Sequence, residues 1–292
     1  MTTPPTHPAI LAGFAPLSAR YDAILCDVWG VLHNGLEAYR AAGEALIRFR
    51  AGGGRVVLVS NAPRPGAFVT AMLDRFGVPR AAYDGVVTSG DLTRQAVAAR
   101  PGEMVHHVGP DRDLPIFDGL DAPLGPIEEA GYVVCSGLVD DERETAEDYR
   151  ERLARMRARN LWMICANPDI VVERGHQLLP CAGAVAALYE EMGGEVHYPG
   201  KPHRPVYEAA VARAEELLGR PVARERVVAI GDAIRTDVAG AAGFGIDSLL
   251  LARGIHGAEL GLPEGPLEAA RLAAFLAKQP VRPTYAMDVL VW

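Results

Sequence analysis

Short apolar runs alternate with longer amphipathic stretches along most of the chain. Ala23, Ile24, Leu25 and Cys26 form one such run, which ends in Asp27. Over 38–50, Ala42, Ala45, Leu46 and Phe49 recur at helical spacing, and Gly52, Gly53 and Gly54 stop the helix. Residues 55–59 are a β-branched run ending at Ser60 and Asn61, 65–76 is helical up to Gly77, 86–88 reads as a strand and 91–99 as a helix. Three strand–helix pairs in succession predict a parallel sheet with helices on both faces. The strands are apolar throughout, as burial of both sheet faces requires.

Pro101 and Gly102 interrupt this pattern. Strands are then predicted over 104–108, 132–135 and 161–165, with a helix over 146–159. Residues 111–126 are rich in Pro, Gly and Asp, and Asn167, Pro168 and Asp169 open a loop that runs to residue 180. After Gly193 and Gly194 the first style resumes: helix 206–218, strand 226–230, short helix 238–242, strand 248–251 and helix 267–277. The economical account is an open parallel-sheet domain of residues 1–101 and 194–292, with a separate α/β unit, 102–193, inserted into it. The segment 280–292 carries Tyr285 and Trp292 and is too apolar for a free tail, so it is expected to dock.

Composition narrows the class. Of 292 residues, 49% are apolar and 23% charged, the balance of a globular protein. At this length one core approaches its practical limit and a second packed unit is expected. Twenty-nine basic against 37 acidic residues give a net charge of −8, which argues against a nucleic-acid partner. The arginine-rich stretch 150–159 has the spacing of a solvated helix face. Cys26, Cys135 and Cys165 lie inside apolar runs, and with Cys181 they form no C-x-x-C pair. They read as buried residues in a reducing compartment, with no zinc site. No apolar stretch reaches the ~18–20 residues that span a bilayer, and 1–15 lacks a basic segment followed by an apolar one, so no secretory signal is expected. A cytoplasmic location follows as the expectation.

The candidate chemistry sits at strand ends, where open α/β sheets bind ligands. The first strand ends in Asp27, the second in Ser60 and Asn61, and a later one in Gly231 and Asp232, with Asp237 five residues on. Gly200, Lys201 and Pro202 precede the helix starting near 206. Taken singly, these residues are ordinary caps, turns and a surface lysine. Together they supply a carboxylate nucleophile, further carboxylates for Mg²⁺, donors for phosphate oxygens and a lysine to neutralise them. That set suits phosphoryl transfer.

The sequence Asp27-Val28-Trp29-Gly30-Val31-Leu32 resembles the first motif of the haloacid dehalogenase superfamily. Val59-Ser60-Asn61 resembles the second motif, Gly200-Lys201-Pro202 the third, and Gly231-Asp232-Ala233-Ile234-Arg235-Thr236-Asp237 the fourth. The form of the last, with Ala241-Ala242-Gly243 and Gly254, is similar to the class IIA, NagD-like branch, as is the loop Ala166-Asn167-Pro168-Asp169. The resemblance implies an α/β fold: a Rossmann-like core with helices on both faces and an α/β cap domain inserted between the second and third motifs. It implies that Asp27 attacks phosphorus, that Ser60 and the Asn61 N–H hold phosphate oxygens, and that Lys201 steadies the transferring group. Mg²⁺ is then held by Asp27, Asp232, Asp237 and the backbone carbonyl of Trp29. The implied substrate is a small phosphorylated metabolite, and the implied assembly a homodimer through the cap.

The sequence departs from that pattern. The first motif normally reads Asp-x-Asp, and its second carboxylate protonates the leaving group. Here Trp29 occupies that position, and an indole transfers no proton at neutral pH. Three readings follow: a phosphatase slow or restricted to good leaving groups, a substitute acid such as His33, or a weakly catalytic regulatory protein that binds a phosphorylated ligand. The superfamily's metal-independent dehalogenases also carry an aromatic residue there, but Asp232 and Asp237 favour phosphoryl chemistry. Arg64, after the second motif, faces either phosphate or solvent, and Arg174 and His176 on the cap loop are candidate substrate contacts.

Overall fold

The computed structural model describes residues 8–174, 177–262 and 265–292. The first part of the chain runs β1 (Ala9–Ile10), β2 (Ala23–Cys26), α1 (Arg40–Ala51), β3 (Arg55–Ser60), α2 (Gly66–Phe76), β4 (Gly85–Thr88) and α3 (Ser89–Ala98). It continues through β5 (Val105–Val108), β6 (Tyr132–Cys135), α4 (Arg150–Ala158), β7 (Met163–Cys165), β8 (Val171–Arg174), β9 (Gln177–Pro180), α5 (Ala182–Glu191) and β10 (Val196–His197). The last part holds α6 (Arg204–Leu218), β11 (Val227–Gly231), α7 (Ala239–Phe244), β12 (Asp247–Leu251), α8 (Ala269–Leu276) and β13 (Tyr285–Met287). The chain divides into two compact units: Met1–Ser60, Thr70–Val87 and Tyr207–Trp292 in one, Asn61–Val69 and Thr88–Val206 in the other.

The first unit is built on a seven-stranded sheet in the order β1-β13-β12-β11-β2-β3-β4. β2 pairs in parallel with β3 and with β11, and all four of its residues are buried. From β2 the strands β3 and β4 lie to one side and β11 to β13 to the other. The winding therefore reverses between β2 and β11, the place where such sheets open a crevice at the carboxyl ends of their strands. Helix α1 buries the stripe Ala42, Gly43, Ala45, Leu46 and Phe49 and ends where the Gly52 N–H returns to the Arg48 carbonyl. β13 comes from the apolar terminal segment and inserts between β1 and β12.

The second unit has a four-stranded parallel sheet in the order β10-β7-β6-β5. Its strands alternate between two cores. Val133, Cys135, Met163 and Cys165 pack with Leu153 and Met156 of α4 and with Val185 and Tyr189 of α5. Tyr132, Val134 and Ile164 pack with Val97, Ile116 and Phe117. The stretch expected to be a loop up to residue 180 contains an antiparallel hairpin, β8 with β9, in which Val172 faces Leu179. Each strand has only four residues, too few for a period-2 signal to stand out. All four cysteines are free and buried. Among the described residues, no helix is long and apolar enough to cross a membrane.

Candidate active site

Asp27 directly follows β2, and its N–H continues the ladder to the Ile230 carbonyl of β11 (2.8 Å). Asp232 follows β11, and Asp237 lies one helical turn further on. Their carboxylate oxygens lie within 4.8 Å of one another, and all three residues are buried. Three such groups ionised together repel strongly, and a divalent cation relieves the repulsion. The donor set is all oxygen, which fits a hard ion such as Mg²⁺.

Backbone groups hold these carboxylates in place. The Ile255 N–H donates to Asp232 Oδ2 (2.8 Å), and the Ala233 N–H donates to Asp237 Oδ2 (3.2 Å). Gly30 and Gly254 both press against the Asp232 carboxylate, so closely that a Cβ at either position would overlap it. Gly30 also has φ +81°, which glycine alone adopts without cost. Asp237 sits in one turn of π-helix, Ile234–Val238, which leads into the short α-helix expected from residue 238 and observed as α7. The Asp237 and Val238 N–H groups both donate to the Ala233 carbonyl (3.0 and 3.2 Å), and this wider turn sets the direction of the Asp237 side chain. The Tyr207 hydroxyl, near the start of α6, braces the turn through the Thr236 and Asp237 carbonyls (3.2 and 3.3 Å).

Ser60 closes β3 at the carboxyl edge of the same sheet. In the second unit, Asn61 and Lys201 are both 4% exposed and are directly joined. The Lys201 N–H donates to Asn61 Oδ1 (2.7 Å), and Asn61 Nδ2 donates to the Lys201 carbonyl (3.1 Å) and to Asp169 Oδ1 (2.9 Å). The Asn61 side chain thus ties the third-motif loop to the Asn167–Asp169 loop. Sequence reasoning did not find this clamp, because no spacing rule links residue 61 with residues 169 and 201.

A model described as haloacid dehalogenase-like hydrolase matches residues 24–122, and a second, HAD-hydrolase-like, matches 198–288. A crystal structure of a haloacid dehalogenase-like hydrolase from Brucella suis 1330 is 49% identical, with a TM-score of 0.84 over 96% of this chain and 99% of that one. The chain belongs to the haloacid dehalogenase superfamily. This hydrolase falls with the NagD-like members. Ribonucleotide monophosphatase NagD of Escherichia coli K12 is 25% identical over 244 residues, 80% of this chain and 88% of that protein. D-glycerol 3-phosphate phosphatase of Mycobacterium tuberculosis is 28% identical over 247 residues, which are 83% of this chain and 66% of that relative's length.

The superfamily's first motif is altered here at Trp29, and the structure gives the indole a fitted setting. Its ring meets His33 edge to face (centroids 4.9 Å apart, 69°), and His33 stacks on Phe76 (4.8 Å, 26°). Gly35 leaves space for the indole that a Cβ would fill. His33 is fully buried, and its Nδ1 accepts the Gly35 N–H (2.9 Å), which puts the ring proton on Nε2. Nε2 is buried without a hydrogen-bond partner, and burial pushes the His33 pKa down to about 4. A neutral, enclosed imidazole packs the indole and is poorly set to donate a proton.

Arg64 of the hydrolase is tied within the second unit. Its Nε lies 3.5 Å from Asp113 Oδ1, its guanidinium lies over the Phe68 ring (5.7 Å), and its carbonyl accepts the Thr88 hydroxyl (3.0 Å). Asp113 is 3% exposed, and burial raises its pKa. Arg174 is the last residue of β8. His176 lies outside the described residues.

Proposed function

We propose that this hydrolase is a Mg²⁺-dependent phosphatase. It cleaves phosphoric monoesters of small metabolites through an aspartyl phosphate on Asp27, with turnover that is slow or limited to good leaving groups. The observation that carries this reading is the buried cluster of Asp27, Asp232 and Asp237, with carboxylate oxygens within 4.8 Å of one another. The activities for which the NagD and D-glycerol 3-phosphate phosphatase relatives are named support the same reaction class.

Asp27, Asp232, Asp237 and the Trp29 carbonyl would hold Mg²⁺, which would supply positive charge to offset that on the phosphoryl oxygens. One carboxylate oxygen of Asp27 attacks phosphorus, and the bond to the leaving oxygen breaks with its electron pair. The Ser60 hydroxyl and the Asn61 N–H hold the phosphoryl oxygens, and the Lys201 ammonium balances their charge. Water then attacks phosphorus, the acyl–phosphate bond breaks, and the Asp27 carboxylate and inorganic phosphate are released.

Trp29 gives the departing oxygen no proton, and neither does the enclosed His33. Loss of general acid catalysis costs ~10²–10⁴-fold for poor leaving groups. Aryl, acyl and anhydride phosphates, whose leaving groups are stable anions, suffer least. Arg174 and His176 contact the part of the substrate that does not react, and Arg64 stands on the phosphate side. Residues 102–193 act as the cap on a core of 1–101 and 194–292, a reading supported by the separate four-stranded sheet. We further infer a homodimer through the cap. The four free buried cysteines suit the reducing cytoplasm.

One observation favours a second reading, a phospho-ligand-binding regulator: His33, the substitute acid that the sequence offered, is enclosed and held neutral. Phosphate release from a panel of monoesters and acyl phosphates, with Mg²⁺ and with EDTA, decides between the two. Metal-dependent release that disappears in Asp27→Asn supports the phosphatase. No release from any substrate, with Mg²⁺ and phosphorylated ligands still bound, supports the regulator.

A further inference from the structure

The segment 254–259 lies outside the four motif stretches that carry the chemistry, yet it holds the fourth at two points. Its Ile255 N–H fixes Asp232 Oδ2 (2.8 Å). One residue further along, the His256 side chain reaches the start of the π-helical turn that carries Asp237: the Ile234 N–H donates to His256 Nε2 (3.2 Å). Ile234 is fully buried and opens that turn, so its N–H has no partner within the helix. The imidazole supplies one.

Because Nε2 accepts, the ring proton is on Nδ1, and Nδ1 lies 2.9 Å from Glu259 Oε1. The carboxylate therefore fixes both the tautomer and the ring plane. Phe275 of α8 packs against the same ring (4.9 Å, 52°), from a core cluster that also contains Ile234 and Val238. A carboxylate, an imidazole and a backbone N–H thus stand in series behind the Asp237 turn.

We propose that His256 is a positioning residue for the metal site and that Glu259 orients it. By holding the Ile234 N–H, His256 fixes the turn that aims Asp237 at the ion and so sets divalent-cation affinity. This rests on the metal reading of the site. Groups that orient metal ligands from behind typically change affinity 10- to 100-fold when removed.

The test is calorimetric titration of the metal-free protein with Mg²⁺, together with the melting temperature measured with and without the ion. His256→Leu keeps the bulk but not the acceptor and is expected to weaken binding by about 10-fold or more. His256→Gln places an oxygen near the Nε2 position and should restore affinity to within about 3-fold of wild type, a rescue that a purely packing role would not give. A folded His256→Leu that binds Mg²⁺ like wild type overturns the proposal, as does a glutamine variant as weak as the leucine variant. If His256→Leu does not fold, Glu259→Ala decides: this exposed carboxylate lies outside the core, and unchanged affinity in that variant overturns the relay. A wild-type protein that binds no divalent ion overturns the metal reading itself, which is a different result from equal binding by wild type and variant.

Discussion

Replacing Asn61 by leucine removes a buried clamp and leaves its partners in place. Leucine shares the branched four-atom skeleton of asparagine, is bulkier, offers neither donor nor acceptor, and excludes the water that a smaller residue would admit. The buried Lys201 N–H, now 2.7 Å from Asn61 Oδ1, loses its acceptor. An unsatisfied buried donor costs about 1–3 kcal/mol. The bond from Nδ2 to the Lys201 carbonyl is worth about 1 kcal/mol, and the charge-assisted bond to Asp169 about 1.5 kcal/mol. Together these give about 3.5–5.5 kcal/mol. At about 2–3 °C per kcal/mol for a chain of this size, the midpoint of thermal unfolding should fall by about 7–16 °C. Circular dichroism melting of the intact protein measures it. Asn61→Asp sharpens the test, since it changes one atom. It keeps the acceptor for the Lys201 N–H but turns a second oxygen toward the Lys201 carbonyl and Asp169 Oδ1. At pH 7 that pair repels, so the loss should be at least as large, and it should ease on acidification as the two carboxyl groups share a proton. A leucine variant that melts within about 2 °C of wild type would refute the clamp.

Three further outcomes are expected. Trp29→Asp should raise turnover of alkyl phosphates by up to ~10²–10⁴-fold while changing aryl and acyl phosphates little; a leaving-group series read as the slope of rate against leaving-group pKa checks it. Gly254→Ala drives a methyl group into the Asp232 carboxylate, so Mg²⁺ affinity should fall steeply in a calorimetric titration while the protein remains folded. Burial holds the His107 pKa at about 4 against an ordinary 6.5. The unfolded chain therefore takes up a proton below about pH 6.5 that the folded chain refuses until about pH 4, and the stability this represents is complete above that range and lost across it. His107→Gln should accordingly show a smaller fall in its urea midpoint between pH 7 and pH 4 than wild type.

The central strands were legible because they are buried on both faces. β2, β3 and β11 read as unbroken apolar runs, and each ends in a polar residue at the carboxyl edge. The strands at the β1 end of the sheet were not. β1 has two residues and β13 three, and their pairing depends on neighbours far away in sequence. The same limit hid the β8–β9 hairpin, which was read as loop. Within the site, Asp27, Asp232 and Asp237 could be named from motif order, whereas the π-helical turn beneath Asp237 could not, since its extra residue per turn leaves no mark in hydrophobic spacing. His33 was open to an acid–base reading on sequence. Only the stacking of Trp29, His33 and Phe76 and the direction of the Gly35 N–H give its proton a location. The roles of Asn61 and His256 rest on side-chain hydrogen bonds between distant segments, which no local pattern encodes.

The pairing of β2 with β11 has a consequence for biosynthesis. Ala23 sits beside Val227, and the whole of the second unit is translated between them. As the chain leaves the ribosome, β2 meets β3 early but must wait for β11 to complete its other edge. Contacts this distant in sequence close slowly and leave an unpaired strand edge exposed while they do. The second unit can finish its own sheet during that interval. Asp27 and Asp232 then come together only when the last part of the chain has emerged, so a nascent chain stalled before β11 carries Asp27 without the cluster it forms with Asp232 and Asp237.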